Sequence, residues 1–254
     1  MSAWTDRTVF VTGASAGFGA AIARAYAAQG AQMILCGRRR DRLEALAQEL
    51  ASPCHILVLD VRDRVGVTEA IAALPAPFAH IDVLVNNAGL ALGLEPAHAA
   101  DLDDWEAMID TNVKGLMYVT RAVLPGMVAR DRGHVVNISS IAGTYPYPGG
   151  NAYGASKAAV TQFSLNLIAD LIKTRVRVTN IEPGLCGGSE FSLVRFKGDA
   201  EAAAKVYDGT TPLSSEDVAE AVVWATSLPA HVNINRIEMM PVSQAPAGLT
   251  VYRG

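Results

Sequence analysis

The sequence has little charge, few aromatic residues and no long apolar run. Of its 254 residues, 18% are charged and 6% are aromatic, and the formal net charge is −4. Because nucleic acids and anionic membrane surfaces attract basic proteins, this acidic balance predicts that the chain binds neither. A membrane-spanning helix needs about 20 consecutive apolar residues, and since the sequence has no such run, no membrane span is predicted.

Cysteine is also scarce. Cys36, Cys54 and Cys186 are odd in number and far apart, and they form neither a C-x-x-C pair nor a ligand pattern with the five histidines. We therefore predict reduced cysteines and no metal site. The first ten residues, MSAWTDRTVF, lack the basic stretch and following apolar stretch of a signal peptide, which predicts a cytoplasmic protein.

Half of the residues are apolar, and short β-branched runs alternate with longer stretches of helical pattern. Strands are predicted at 8–12, 32–37, 55–60, 81–86, 133–139, 175–181 and 236–240. Helices are predicted at 17–29, 40–50, 63–73, 102–130, 152–173 and 214–227. Near-continuous apolar strands are typical of a parallel sheet that is covered on both faces. We therefore predict a single α/β domain over residues 1–254, a Rossmann fold whose doubly wound seven-stranded parallel sheet has helices on both faces.

Two segments interrupt this alternation. Residues 141–151, IAGTYPYPGGN, are too rich in glycine and proline for a strand or the interior of a helix. Residues 182–210 are too long for an ordinary connection. Both follow strands, and ligands of open parallel sheets bind beyond the carboxyl ends of the strands, so the second segment is a candidate substrate loop at about 185–210. An insertion without a function is the alternative.

A glycine-rich turn follows the first strand. In VTGASAGFGAAIA, Gly13, Gly17 and Gly19 let the backbone approach a pyrophosphate at the start of the next helix, where N–H groups and the helix dipole favour an anion. The spacing differs from the usual G-x-G-x-x-G, and a plain glycine-rich turn is the alternative. The position between an apolar strand and a helix of small residues favours a nucleotide site.

The end of the second strand indicates which dinucleotide is bound. NAD-binding proteins place an acidic residue there for the ribose 2′-hydroxyl, whereas this chain has LCGRRRDR, with Arg38, Arg39 and Arg40. A guanidinium can bind a phosphate through two parallel hydrogen bonds. We therefore predict NADP(H), with a solvated basic helix start as the alternative.

The stretch YGASK places Tyr153 and Lys157 one helical turn apart, with only small residues between them. By itself, such a pair is more often an exposed part of a surface helix than a catalytic pair. A neighbouring ammonium can nevertheless lower the pKa of a tyrosine, which would prepare the phenol for proton transfer.

Six motifs follow one another along the chain: TGASAGFG at 12–19, NNAG at 86–89, TNVKG around Asn112, NISSIAGT around Ser140, YGASK at 153–157 and EPG at 182–184. Together they resemble the short-chain dehydrogenase/reductase family over essentially the whole chain. Further stretches, among them NNAGLALGLEPAH and LPAHVNINRIEMMPV, are similar to one bacterial subgroup. It comprises NADP-dependent 3-hydroxy acid (serine and allo-threonine) dehydrogenases, malonic semialdehyde reductases and sulfoacetaldehyde reductases.

The resemblance implies a catalytic tetrad of Asn112, Ser140, Tyr153 and Lys157, and the family spacing to the tyrosine selects Ser140 over Ser139. Tyr153 would exchange the proton of the alcohol oxygen, while Lys157 would lower the pKa of Tyr153 and hold the nicotinamide ribose. Ser140 would polarise the carbonyl group. Asn112 would hold a water molecule in a proton relay toward Lys157.

The resemblance also implies which residues hold NADP(H). Around the phosphates and the adenosine they are Gly13, Ser15, Gly17, Phe18, Gly19, Arg38, Arg39, Asp60, Val61, Asn87, Ala88 and Gly89. Around the nicotinamide they are Tyr153, Lys157, Pro183, Gly184, Leu185, Gly188 and Ser189. Ser189 stands where the subgroup often has threonine, and it keeps the hydroxyl that a contact with the carboxamide needs.

The implied reaction is hydride transfer between NADP(H) and a small anionic aldehyde or the matching hydroxy acid. The predicted substrate contacts are Ser140, Tyr147, Tyr153 and Arg195. Arg195 is the predicted anchor of the substrate anion, because its planar fork fits carboxylate or sulfonate oxygens. Tyr145 offers a further hydroxyl on the same side. A structural ion pair of Arg195 with Glu190 or Asp199 is the alternative.

Two other functions fit the same fold. A reductase of bulkier neutral ketones would share the tetrad, because a fold does not determine the substrate, and it would need a wide apolar groove. A non-catalytic NADP-sensing protein would lack part of the tetrad, whereas all four residues are present. Kinship further predicts a homo-oligomer, in the first place a tetramer, joined by the helices at 102–130 and 152–173. The apolar tail APAGLTVY could also pack on a neighbouring subunit; packing within one subunit is the alternative.

Overall fold

The computed structural model describes residues 4–246, and its centre is one parallel sheet. The strands are β1 Thr8–Thr12, β2 Gln32–Gly37, β3 Cys54–Val58, β4 Ile81–Asn86, β5 Gly133–Ile138, β6 Val176–Pro183 and β7 Arg236–Met239. They pair in the order β3-β2-β1-β4-β5-β6-β7. The predicted seven-stranded, doubly wound sheet is therefore confirmed. Its winding reverses between β1 and β4, and such a reversal opens a crevice for a ligand at the carboxyl ends of the strands.

Helices cover both faces of the sheet. They are α1 Gly17–Ala27, α2 Arg40–Glu49, α3 Arg64–Ala72, α4 Leu102–Ile109, α5 Leu116–Ala129, α6 Asn151–Asp170, α7 Phe191–Arg195, α8 Ala200–Lys205 and α9 Ser215–Ser227. Helices α1, α2 and α9 pack on one face, and α3, α5 and α6 pack on the other. In β1, Val9 and Val11 contact the first face and Phe10 contacts the second. Both faces being buried explains why the strands are apolar at nearly every position.

The stretch predicted as one helix over 102–130 is continuous but not uniform. Helices α4 and α5 are joined by a π-helical segment, Asp110–Gly115, whose wider turn carries Asn112. Apolar periodicity in the sequence cannot distinguish this segment from an α-helix, because one wider turn shifts the helical pattern by only a fraction of a turn. Segments of this kind are common at functional sites.

The two segments that interrupt the alternation contain short helices, which the sequence pattern did not predict. A 3₁₀ turn, Ile141–Gly143, begins residues 141–151, and the Ser140 side chain caps it. Helices α7 and α8 lie within the predicted substrate loop, and Asp199 caps α8 by accepting from two backbone N–H groups. Pieces of three to six residues are too short to show a helical pattern in the sequence.

Several predictions concern features of the chain as a whole. In the described range, no helix is long and apolar enough to cross a membrane. The same residues contain no cluster of three or more histidine, cysteine, aspartate or glutamate side chains placed to hold a metal ion. Cys36, Cys54 and Cys186 are all free thiols. The tail APAGLTVY begins at residue 245, and all of it after residue 246 lies outside the described residues.

Candidate active site

Glycines shape the turn between β1 and α1. Gly13 and Gly17 have φ angles of +67° and +52°, a backbone conformation that favours glycine. A Cβ atom at Gly19 would collide with the Gly13 carbonyl group. Helix α1 begins without a capping side chain at Ala16 and without an acidic residue in its first turn. The N–H groups of this turn are left for an anion, so the turn fits the pyrophosphate of a dinucleotide.

The loop after β4 packs directly against this turn. Asn87 donates through Nδ2 to the carbonyl oxygens of Thr12 (2.9 Å) and Gly13 (3.2 Å). The Thr12 hydroxyl oxygen accepts from the backbone N–H groups of Asn87 and Ala88, both at 3.0 Å. The Asn87 side chain and the N–H groups of Asn87 and Ala88 therefore join the two loops, and the carbonyl oxygens of Asn87 and Ala88 remain for the predicted contact with a ribose.

Arg39 and Arg42 hold one carboxylate between them at the edge of this turn. Glu190 accepts from Nη1 of Arg39 at 2.7 Å and from Nη1 of Arg42 at 2.8 Å. Arg39 also donates through Nε and Nη2 to the Ser15 hydroxyl, at 3.2 and 3.0 Å. An anion site thus exists beside the phosphate turn, where the 2′-phosphate of NADP(H) is predicted to bind.

The neighbouring residues predicted for the adenosine also lie at this edge. Arg38 is exposed. The hydrogen bond from Arg62 and, less strongly, the charge of Arg38 lower the pKa of Asp60. Val61 is buried and contacts Gly115, the last residue of the π-helical segment, where a Cβ atom would lie 2.7 Å from a Val61 methyl carbon. The predicted adenine contacts and the arginines therefore share one side of the crevice.

Helix α6 brings Tyr153 and Lys157 together, and both are more than nine-tenths buried. Lys157 Nζ donates to the Ile138 carbonyl oxygen at 2.9 Å and lies 5.7 Å from the centre of the Tyr153 ring. Burial lowers the pKa of Lys157 to about 8. The small residue Gly154 between them lets α6 approach the 3₁₀ turn, since a Cβ atom there would lie 2.9 Å from the Ala142 carbonyl oxygen.

The two adjacent serines after β5 have different partners. The Ser140 hydroxyl donates to the Pro183 carbonyl oxygen at 3.4 Å and accepts from the Ala142 backbone N–H at 3.1 Å, and it lies near enough to the Tyr153 phenol to lower the pKa of that group. The Ser139 hydroxyl donates to the Lys157 carbonyl oxygen at 2.8 Å. Ser140 is therefore the serine next to the phenol, as its predicted role requires.

Asn112 connects three parts of the site. Its Nδ2 donates to the Leu90 carbonyl oxygen at 2.8 Å and to the Ser156 hydroxyl at 3.0 Å, while its Oδ1 accepts from the Leu90 N–H at 2.9 Å. A Cβ atom at Gly89 would lie 3.2 Å from Asn112 Oδ1 and 3.4 Å from Lys157 Nζ, so only glycine leaves room there. The side chain lies near Lys157, and its predicted water-holding role stays a prediction.

The pKa of Tyr153 differs from the expectation. Burial raises it above its usual value, and the hydrogen bond with Ser140 and the charge of Arg195 offset only part of that effect. The expectation that Lys157 lowers this pKa is wrong for the chain by itself, because the cost of burying the phenolate is larger. A phenol that stays protonated at neutral pH is suited to donating a proton.

Arg195, at the end of α7, reaches back to two tyrosines. Its Nη2 donates to the Tyr147 hydroxyl at 2.6 Å, and its guanidinium carbon lies 5.3 Å from the ring centre of Tyr147 and 5.5 Å from that of Tyr153. The alternative of an ion pair with Glu190 or Asp199 is wrong, since Glu190 binds Arg39 and Arg42 and Asp199 caps α8. In the described part of the chain, no carboxylate forms an ion pair with Arg195.

Residues 141–151 contribute one tyrosine to this pocket. Tyr147 contacts Gly150, where a Cβ atom would lie 2.7 Å from the ring, and its hydroxyl faces Arg195. The Tyr145 hydroxyl instead donates to Glu238 at 3.0 Å. The expectation that both hydroxyls face the substrate loop is therefore wrong for Tyr145.

The predicted nicotinamide contacts run from the end of β6 across the crevice; they are Pro183, Gly184, Leu185, Gly188 and Ser189. The Leu185 N–H donates to Gln244 Oε1 at 2.7 Å. Gly188 has a φ of +72°, and after it the chain passes so close to Gly17 that a Cβ atom there would lie 3.1 Å from Ser189 Cβ. Ser189 thus contacts the phosphate turn at Gly17. Phe18, the next residue, packs against the core.

On its far side, the substrate loop is attached to the segment before α4 and to α4 itself. Lys197 Nζ lies 2.8 Å from a carboxylate oxygen of Asp104, and the Arg195 carbonyl oxygen accepts from the Gly93 N–H at 3.0 Å. Phe191 contacts the Tyr153 ring edge-on, with 5.8 Å between the ring centres. The loop therefore spans the crevice from the arginines at the cofactor side to α4.

Sequence reasoning missed three residues that shape the site: Glu190, Lys197 as a partner of Asp104, and the fully buried Glu182. Each pairs with a residue far away in the chain, 151 residues in the case of Glu190 and Arg39. No local pattern carries that information. The only signal for Glu182 was an acidic residue at the end of an otherwise apolar strand.

The family model of the short chain dehydrogenases matches residues 7–194. The chain belongs to the short-chain dehydrogenase family. It is 63% identical over 245 residues to the NADP-dependent 3-hydroxy acid dehydrogenase of Salmonella typhi, covering 96% of this chain and 99% of that relative. It is 49% identical over 246 residues to the serine 3-dehydrogenase of Agrobacterium fabrum, covering 97% and 98%.

Solved structures agree with this membership in the short-chain dehydrogenase family. The closed form of a serine dehydrogenase complexed with NADP+ matches with a TM-score of 0.96 at 61% identity, over 97% of this chain and 100% of that one. The serine dehydrogenase from Escherichia coli matches with a TM-score of 0.82 at 55% identity, over 94% and 99%. The predictions of the family, of a dehydrogenase and of the fold are confirmed, and the predicted cofactor, NADP(H), is the one named for the Salmonella typhi relative and for the closed serine dehydrogenase.

Proposed function

We propose that this short-chain dehydrogenase transfers a hydride between NADP(H) and a small anionic aldehyde or the matching 3-hydroxy acid. The observation that carries the proposal is Arg195, a guanidinium without a carboxylate partner that lies over the Tyr153 ring. A small acid has little apolar surface, so charge-assisted hydrogen bonds in a closed site must supply most of its binding energy. Arg195 and the Tyr147 hydroxyl are placed to supply them.

NADP(H), when bound, supplies or accepts the hydride. The uncapped start of α1 and its glycine turn fit the pyrophosphate, and Arg38 and Arg39 lie where they can bind the 2′-phosphate. Asp60 and Val61 would lie beside the adenine, and Lys157 would hold the nicotinamide ribose. The assignments to the phosphates rest on the glycine turn and the arginines, whereas those to the adenine and the ribose are implied by the resemblance to the short-chain dehydrogenases.

The chain's own residues handle the proton and the substrate oxygen. Ser140, next to the Tyr153 phenol, would hold the carbonyl oxygen and polarise it. Tyr153 would then donate its proton to that oxygen during reduction and accept the alcohol proton during oxidation. The raised pKa of Tyr153 keeps the proton in place for reduction. The positive charge of Arg195 favours its release.

The activities for which the relatives are named support the substrate class. One is a 3-hydroxy acid dehydrogenase and another a serine 3-dehydrogenase, and a 3-hydroxy acid carries a carboxylate that Arg195 could bind. Serine, allo-threonine and 3-hydroxypropionate with its aldehyde, malonic semialdehyde, are therefore the candidate carboxylates. Because a sulfonate also fits a guanidinium fork, sulfoacetaldehyde and isethionate belong to the same proposal.

The proposal is tested by rates of NADPH oxidation with malonic semialdehyde, sulfoacetaldehyde and a neutral short aldehyde, measured side by side. For Arg195→Met, kcat/KM for the anionic aldehydes should fall about tenfold or more, one charge-assisted contact's worth, while the neutral aldehyde is scarcely affected. Lys205→Met, which removes an exposed lysine from α8 in the same loop, is the control and should change neither. Equal losses on charged and neutral aldehydes, or faster turnover of bulky neutral ketones by the wild type, would contradict it.

We further propose that the protein is a cytoplasmic homotetramer. Kinship supports it, as do exposed apolar side chains such as Val128 on α5 and Trp224 on α9. Sedimentation equilibrium of the purified chain would give the mass of the assembly. A monomer at micromolar concentration would contradict this proposal without affecting the proposed reaction.

A further inference from the structure

A charged side chain lies fully buried beneath the catalytic residues. Glu182, in β6, is 0% exposed and lies one residue before Pro183, the end of the strand. Arg236 donates to both of its carboxylate oxygens, at 3.0 Å from Nε and 2.6 Å from Nη2. Asn180 Nδ2 and the Thr161 hydroxyl donate to Oε1 at 2.5 and 3.1 Å. A buried carboxylate is tolerated only with such complete pairing.

The Thr161 hydroxyl links this carboxylate to the catalytic helix. A carbonyl oxygen only accepts hydrogen bonds, so the single proton of the Ser139 hydroxyl is directed to the Lys157 carbonyl oxygen at 2.8 Å. The contact of 3.0 Å between the Ser139 and Thr161 hydroxyls then uses the proton of Thr161, which Glu182 Oε1 at 3.1 Å shares as an acceptor. Asn180 Nδ2 donates to Thr161 at 3.1 Å and to Glu182 at 2.5 Å, and so holds the threonine beside the carboxylate. Glu182 is thus connected to Lys157 through Asn180, Thr161 and Ser139.

Lys157 is attached to the end of β5 at two points. Its carbonyl oxygen accepts from Ser139, and its Nζ donates to the carbonyl oxygen of the preceding residue, Ile138. Nζ has no ion-pair partner among the described residues, so its position depends on the backbone of β5 and α6. Tyr153 is on the adjacent turn of the same helix, and a shift between β5 and α6 would displace both side chains.

We propose that Glu182 and Thr161 are positioning residues for Lys157, acting through Ser139. They hold the end of β5 against α6, so that the ammonium group and the phenol keep their places relative to the substrate oxygen and the ribose. The inference rests on the proposed role of Lys157 in binding the ribose and assisting proton transfer. Neither Glu182 nor Thr161 contacts the reacting atoms.

The test uses Thr161→Val, which removes the hydroxyl but keeps the shape and leaves the Glu182–Arg236 pair intact. We expect kcat to fall about tenfold, one net hydrogen bond's worth. The Kd of NADPH, measured by fluorescence titration without substrate, should rise by a few-fold. The KM of the aldehyde should stay within twofold, because Arg195 and Tyr147 lie outside this network.

Two further variants separate positioning from a general loss of stability. Thr161→Ser restores the hydroxyl and should return kcat and the Kd of NADPH to within twofold of the wild type. Thr226→Val removes another buried hydroxyl, which is bonded to Tyr26 on the opposite face of the sheet at 2.6 Å, and should leave both values unchanged. A smaller fraction of folded protein would lower kcat but would not change the Kd.

The proposal is overturned if Thr161→Val keeps the wild-type kcat and Kd of NADPH, or if Thr161→Ser fails to restore both values. It is also overturned if Thr226→Val changes kcat and the Kd of NADPH as much as Thr161→Val does. Lys157→Met, measured in parallel, distinguishes this failure from a failure of the proposed function. If Lys157→Met leaves turnover and NADPH binding unchanged, the role of Lys157 itself is wrong. If only Lys157→Met is impaired, the role of Lys157 stands and the positioning by Thr161 is wrong.

Discussion

The floor of the site and the loop that covers it are held in place by different interactions. The floor, formed by the ends of β5 and β6 and the first turns of α6, uses hydrogen bonds among residues such as Ser139, Lys157 and Glu182, all of them buried. The substrate loop is fastened mainly by ion pairs at the surface, in which the Arg39 and Glu190 side chains are 40% and 38% exposed. Exposed pairs of this kind contribute about 0–1 kcal/mol each.

This difference separates the two tasks of the site. Proton transfer requires fixed positions, and a buried network in which every partner is satisfied provides them. Binding and release of a substrate require a cover that opens at a small cost, and solvent-exposed ion pairs allow that. Substitutions in the floor should therefore affect the chemical step, whereas substitutions in the ion pairs that fasten the loop should adjust binding by small factors.

The largest effect is expected at the centre of the floor. Tyr153→Phe keeps the buried ring but removes the proton donor, so turnover should fall by roughly 10²–10⁴, the usual contribution of a general acid. The Kd of NADPH, measured by fluorescence titration, should stay within twofold, because the ring of Tyr153 and the other predicted cofactor contacts, Lys157 among them, stay in place. Turnover within a few-fold of the wild type would contradict the proton-donor role.

The burial of Lys157 should appear in the pH dependence of stability. The pKa of Lys157 is about 8 in the folded protein, against 10.5 for an ordinary lysine. Between pH 8 and pH 10.5, the unfolded chain therefore binds a proton that the folded chain does not. The cost of burying the ammonium, on the order of 3 kcal/mol, is therefore fully present below pH 8 and is relieved as the pH rises toward 10.5.

Urea unfolding of the wild type and of Lys157→Met at pH 7 and pH 10 checks this expectation. The free energy of unfolding of the variant minus that of the wild type should be larger at pH 7 than at pH 10, because only the wild type carries the burial cost and carries it in full at pH 7. Other groups titrate in both proteins and cancel in the difference. A difference that is the same at both pH values would mean that Lys157 is not strained by burial.

At the edge where the loop meets the cofactor side, replacement of both Arg38 and Arg39 by alanine should raise the KM of NADPH by an order of magnitude or more. A hydrogen bond to a charged group contributes about 1.5–3 kcal/mol, and only NADPH has the 2′-phosphate that accepts it. The KM of NADH, measured with the same aldehyde, is the internal control and should change much less. Equal changes in the KM of NADPH and of NADH would mean that Arg38 and Arg39 are solvated surface residues and do not bind the 2′-phosphate.

The smallest effect is expected for the loop's own ion pair. Glu190→Gln should change the KM of NADPH and of the aldehyde by less than about fivefold, since the pair is exposed, and the change should shrink at high salt. Glu201→Gln, which breaks the exposed pair with Lys205 in α8, is the matched control. A hundredfold rise in either KM for Glu190→Gln would contradict the proposed difference between the floor and the loop.

Local patterns were sufficient for much of this protein. The strand and helix alternation, the glycine turn at Gly13, the arginines after β2 and the one-turn spacing of Tyr153 and Lys157 are all properties of neighbouring residues, and the structure has each of them at the predicted place. Backbone geometry makes such features nearly independent of the rest of the fold, because glycine conformations and helical periodicity act over a few residues.

Only the tertiary structure decided which distant side chains meet. It paired Glu190 with Arg39 and Arg42 and left Arg195 to Tyr147, and it turned Tyr145 away toward Glu238. It also raised the pKa of Tyr153, where the sequence suggested the opposite, because the cost of burying a charge depends on everything packed around it and not on the spacing to one lysine. Sequence spacing determines what lies on one face of a helix; packing determines what that face meets.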